Sequence, residues 1–131
     1  MELKLLLVDD NRAVRETLGE FIEVVVGGYT ISYAVGATQA LEMVGNDPAI
    51  QIVLTDYNMP PGPNGIELAR QLRDIRDDLV VLFRTGDLYE ELEIQALAAG
   101  VRKAFAKDDL DGLAEELRVL QEQFCIVKSP S

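Results

Sequence analysis

Five polar residues of this 131-residue chain fall where short apolar runs stop. Asp9 and Asp10 follow Leu3 to Val8, Asp56 ends the run from Gln51, Thr85 comes just after Leu79 to Phe83, and Lys107 follows Val101 to Ala106. Brought together, these groups suit one kind of chemistry. A carboxylate is a nucleophile for phosphorus and forms an aspartyl-phosphate. Three clustered carboxylates raise one another's pKa, and a hard divalent cation relieves the repulsion. Mg²⁺ takes one or two carboxylates and fills its shell with waters and phosphate oxygens. A lysine supplies a compact positive charge to a phosphate oxygen, and a threonine hydroxyl donates a hydrogen bond to another. No general base is needed, because an ordinary aspartate is ionised near neutral pH. Asp56 is therefore read as a phosphate acceptor.

The elements must carry these residues to one place. Leu3–Val8, Tyr29–Ala34, Gln51–Asp56, Leu79–Phe83 and Val101–Ala106 read as strands, rich in β-branched and aliphatic residues. Between them lie helical patterns. Val14, Leu18, Phe21, Ile22 and Val25 form the first apolar stripe, and Gly27-Gly28 stops it. Gly19 inside that helix costs about 1 kcal/mol relative to alanine. Thr38 to Val44 is a short helix with Ala40, Leu41 and Val44 inward. Asn64 caps the third helix with Glu67 in a capping-box pattern, and Leu68, Leu72 and Ile75 are its stripe. Leu88, Leu92, Gln95 and Ala99 share a face of the fourth, with Glu90, Glu91 and Glu93 solvated and Gly100 closing it. Asp108 or Asp109 caps the last helix, whose stripe is Leu110, Leu113, Leu117 and Leu120.

Strand and helix alternate five times, which predicts a parallel sheet with helices on both faces and right-handed crossovers. All strand ends then share one edge, where open α/β sheets bind ligands. Residues 1–123 read as one domain and 124–131 as a tail with no clear pattern.

Composition narrows the options. Hydrophobic residues are 48% and charged residues 27%, which marks a globular chain. A formal net charge of −11 argues against direct nucleic-acid binding. The absence of histidine removes Ser-His-Asp catalysis and His-ligated zinc. Cys125 stands alone, so no intrachain disulfide forms, and it reads as a minor hydrophobe. No stretch suits a membrane span or signal peptide, and a cytoplasmic location is expected.

In order and spacing, the pair Asp9-Asp10, Asp56 with Met59-Pro60 and Gly65, Thr85, and Lys107 after Gly100 resemble the receiver domain of two-component response regulators. The resemblance covers nearly the whole chain. It implies a flavodoxin-like fold, a five-stranded parallel sheet of order 2-1-3-4-5 with five helices on both faces. It also implies a phosphoryl group received on Asp56 from a sensor histidine kinase or phosphotransfer protein, and signalling to a downstream protein target. Mg²⁺ would be held by Asp10, Asp56 and the Asn58 backbone carbonyl, with Asp9 acting through water. Thr85 would swing toward the phosphate. Such a domain is a signalling module rather than an enzyme.

Three features depart from the pattern. Ala104 stands where the family usually carries a switch aromatic, with Phe105 next to it. Asp108 stands where proline usually follows the lysine. The loop Pro60-Pro61-Gly62-Pro63-Asn64 is one residue longer than usual. Two other readings compete. One is a receiver-like scaffold that works without phosphorylation. The other is a haloacid-dehalogenase-like phosphatase, which would need an aspartate where Asn11 stands.

Overall fold

A computed structural model describes residues 2–58, 62 and 64–128, the side chains of 125–128 excepted. Met59, Pro60, Pro61 and Pro63 therefore lie outside the described residues, as does the Cys125 side chain. The strands are β1 (Leu3–Val8), β2 (Tyr29–Ala34), β3 (Ile50–Asp56), β4 (Val80–Thr85) and β5 (Val101–Ala106). The helices are α1 (Arg12–Phe21), α2 (Ala37–Asn46), α3 (Gly65–Ile75), α4 (Glu90–Ala98) and α5 (Leu110–Lys128). All five strands are parallel in the order β2-β1-β3-β4-β5, the flavodoxin-like arrangement.

The sheet separates two apolar layers. Leu6, Val53, Val81 and Phe83 face α2, α3 and α4, through Val44, Leu68, Leu72, Leu92 and Ala96. Leu5, Ile52, Leu54, Leu82 and Phe105 face α1 and α5, through Leu18, Ile22, Leu113 and Leu117. Alternate residues of one strand thus feed opposite cores. The central strand β3 is buried on both faces, as its unbroken apolar run requires. Truncating such a side chain, Leu54→Ala for example, costs about 2–5 kcal/mol. At the sheet edge the Tyr29 hydroxyl donates to the Leu117 carbonyl at 2.6 Å, tying β2 to α5.

Several local expectations change. The first helix ends in a π turn, Ile22–Val26, in which the Gly27 N–H donates to the Ile22 carbonyl. The wider turn rotates Val25 to solvent and brings Val26 onto the core. Ile75, the last helical residue of α3, is exposed, and Ile66 and Ala69 complete that face. In α4, Ala96 is buried where Gln95 was expected, because the helix begins at Glu90 and leaves Leu88 outside it. β4 extends through Arg84 and Thr85. α5 runs on through Phe124 to Lys128, into the segment read as a tail. The caps fall as expected on Asn64, which accepts from the Glu67 N–H, and on Asp109, which accepts from the Gly112 N–H.

Candidate phosphoryl and metal site

Parallel pairing sets the strand ends side by side. Asp56 is the last residue of β3 and Thr85 the last of β4. Beyond the strands, the Tyr57 N–H donates to the Arg84 carbonyl and the Lys107 N–H to the Thr85 carbonyl, each at 2.9 Å. These two bonds carry the sheet ladder one step past its end and fix where the loops start. Gly65 brings the start of α3 against the same edge. A β carbon there would lie 3.1 Å from the Asp56 carbonyl oxygen and from Tyr57 Cα, closer than ordinary packing permits. Glycine lets the helix approach.

The five polar residues at the strand ends lie close together. Asp9, Asp10 and Asp56 each offer a carboxylate oxygen, and these oxygens lie within 4.8 Å of one another. The Lys107 ammonium is 3.3 Å from Asp56 Oδ1 and 3.4 Å from Oδ2. Thr85 is buried and lines the same cavity of about 360 Å³, with Asp56, Asn58, Asp87, Tyr89 and Lys107 around it. The Asn58 N–H lies 3.4 Å from Asp56 Oδ1. Its neighbour Tyr57 packs its ring on Phe83, with centroids 5.7 Å apart.

Burial divides the carboxylates. Asp9 is 3% and Asp56 7% exposed, whereas Asp10 faces solvent. Desolvation pushes the Asp9 carboxyl above its ordinary range, the Asn11 N–H at 2.9 Å opposes this, and the Asp56 and Asp10 charges add to the rise. The Arg15 guanidinium donates to the Asp9 carbonyl at 2.7 Å and anchors the backbone there. The donor set is all hard oxygen, partly desolvated and mutually repulsive. It fits a small divalent cation such as Mg²⁺.

Arg84 was not singled out from the sequence. It is 8% exposed, pairs in register with Asp56, and donates through Nη2 to the Lys107 carbonyl at 3.1 Å. Strand alternation held the clue. Arg84 lies two positions after Leu82, on the α1–α5 side that Asp56 also faces. A strand boundary at Phe83 hid it.

Comparison with known proteins agrees with this geometry. A family model described as the response regulator receiver domain matches residues 5–118. Response regulator MprA of Mycobacterium ulcerans is 37% identical over 114 residues, 84% of this chain and 47% of the relative. The chain thus spans about half the length of the curated relatives it matches. Among solved structures, a LuxR-family two-component response regulator from Aurantimonas superposes with a TM-score of 0.85 at 26% identity, covering 94% of this chain and 87% of that one. The receiver domain of Saccharomyces cerevisiae Ssk1, in co-crystal with the histidine phosphotransfer protein Ypd1, shares the fold at 20% identity and a TM-score of 0.77. There 88% of this chain and 86% of that one are covered.

Proposed function

The chain belongs to the response regulator receiver domain family of two-component signalling, and from that premise we propose that Asp56 accepts a phosphoryl group in a Mg²⁺-dependent reaction. The observation that carries the reading is the pairing of Lys107 with Asp56 at 3.3 Å beside the Asp9 and Asp10 carboxylates. The donor is a phosphohistidine on a sensor kinase or phosphotransfer protein, the kind of partner with which the Ssk1 receiver was crystallised. Signal leaves through contact with a downstream protein.

An Asp56 carboxylate oxygen attacks phosphorus in line. The O–P bond forms, the P–N bond of the donor breaks, and the imidazole leaves with the bonding pair and takes up a proton. Asp10, Asp56 and the Asn58 carbonyl would hold the metal, with Asp9 acting through water. Bound there, Mg²⁺ offsets charge on the transferring phosphoryl group. Lys107 exchanges part of its pairing with Asp56 for a phosphoryl oxygen. Thr85, whose hydroxyl accepts from the Asp87 N–H at 3.3 Å, turns to donate to another.

The test is incubation with Mg²⁺ and a small phosphodonor. An acid-stable, base-labile adduct that Asp56→Asn abolishes is the expected result. Failure to form one with any donor would favour the phosphorylation-independent scaffold, a reading to which Ala104 lends some support. Half-buried against Phe83 in the sheet register, it offers no ring to relay a Thr85 movement. Multiple turnover on phosphate esters would instead indicate a phosphatase.

A further inference from the structure

Arg84 is the only buried cation among the described residues. Its place is specific. Asp56 and Arg84 are register partners on adjacent parallel strands, so their side chains leave the same face one strand spacing apart, about 4.8 Å. The Lys107 carbonyl holds one end of the guanidinium, and the rest borders a cavity of about 330 Å³ with Asn11, Val14, Leu18, Lys107 and Leu110. That cavity lies on the α1–α5 side. The guanidinium is thus a fixed charge rather than a mobile one.

Resting on the reading of Asp9, Asp10 and Asp56 as a metal and phosphoryl site, we propose that Arg84 is a positioning residue that sets the charge of that site and holds down its affinity for a divalent cation in the resting protein. A buried arginine stays protonated. In a poorly screened interior its charge acts on its neighbours far more strongly than it would in water. Burial draws the guanidinium below its ordinary range, while the Asp9 and Asp56 charges hold it up. A cation entering among the carboxylates meets that fixed positive charge. Lys107 can withdraw, since its side chain is 42% exposed. Arg84 cannot. Once Asp56 is phosphorylated, the single charge of its carboxylate is replaced by the roughly −1.5 to −2 carried by the phosphoryl oxygens, and the same guanidinium becomes more favourable. Arg84 therefore weakens metal binding before phosphorylation and favours the charged product after it.

The test is calorimetric Mg²⁺ titration of the parent, Arg84→Met and Arg84→Lys at pH 8, with melting curves to establish folding. We expect Arg84→Met to bind Mg²⁺ about tenfold tighter than the parent, and Arg84→Lys, which keeps the charge, to stay near the parent. A residue that only packed the core would give weaker metal binding when removed, so the direction of change separates the two roles. Should Arg84→Met not fold, Arg84→Gln replaces it with the same expectation. Equal or weaker binding by the uncharged variant would overturn the proposal, as would Arg84→Lys binding as tightly as Arg84→Met. A parent that binds no Mg²⁺ would overturn the site reading itself, and the inference with it.

Discussion

The Lys107 ammonium lies 3.3 Å from Asp56 Oδ1, although 51 positions separate the two residues in the chain. Their side chains differ in access to water, 42% exposed for the lysine and 6% for the aspartate. The pair is therefore a buried carboxylate met by a cation that can swing out. Lys107→Ala should keep Mg²⁺ binding at least as tight as in the parent, since it removes a competing positive charge. It should slow adduct formation from a small phosphodonor by roughly 100–1,000-fold, the usual loss when one group that stabilises transition-state charge is removed. Parallel metal titration and phosphorylation kinetics check both halves.

Metal binding should appear as stability. A ligand that binds only the folded protein stabilises it by about 2.7 kcal/mol at 100 times its Kd. For a domain of this size that raises Tm by roughly 5–15 °C. Scanning calorimetry with Mg²⁺, then with a chelator, should show the rise and its reversal. Asp10→Asn should lose most of it.

Asp9 should trade stability against binding. Its folded-state pKa is raised above the ordinary 3.8, chiefly by desolvation. Its contribution is thus fully present below 3.8 and lost as pH rises through the folded value, leaving a buried, poorly tolerated charge at neutrality. Asp9→Asn should therefore raise the Tm of metal-free protein by a few degrees at pH 7, while the asparagine oxygen can still accept from the Asn11 N–H. The gain should shrink as pH falls toward 4, and the variant should respond weakly to Mg²⁺. Urea unfolding across pH 4–8, with and without Mg²⁺, measures each part.

Gly19 offers a test of packing against propensity. Alanine in a helix interior is worth about 1 kcal/mol over glycine. Here a β carbon would run into the Tyr33 hydroxyl, which reaches over α1 from β2. Gly19→Ala should give little or no stabilisation in the parent, and about 1 kcal/mol once Tyr33→Ala has cleared the space. A double-mutant cycle by urea unfolding gives the coupling directly.

Much of this was legible in the sequence because period and punctuation agree. β2 and β5 fall on their expected residues, and Asp56 and Lys107 stand where the runs suggested. Asp9, Asp10, Asp56, Thr85 and Lys107 could be gathered on one edge because parallel strands leave no other place for their ends. What escaped was either long-range or a matter of pitch. The π turn at Ile22–Val26 shifts the stripe by one residue, and nothing in Val24-Val25-Val26 distinguishes three valines by type. The stripe counted from Leu88 falls on Gln95 rather than Ala96, since Leu88 lies outside α4. Nothing in the residue type marks Arg84 as buried, because arginine is rarely found inside. Only its strand register shows that it shares a face with Asp56.

The close seat of Gly65 against the β3 terminus has a consequence for tinkering with this protein. The location of Asp56 rests partly on main chain touching main chain, with no side chain to act as a cushion. Enlarging that residue would leave every reactive group in the chain while nudging Asp56 off its mark, so an inactive Gly65 variant could look chemically complete.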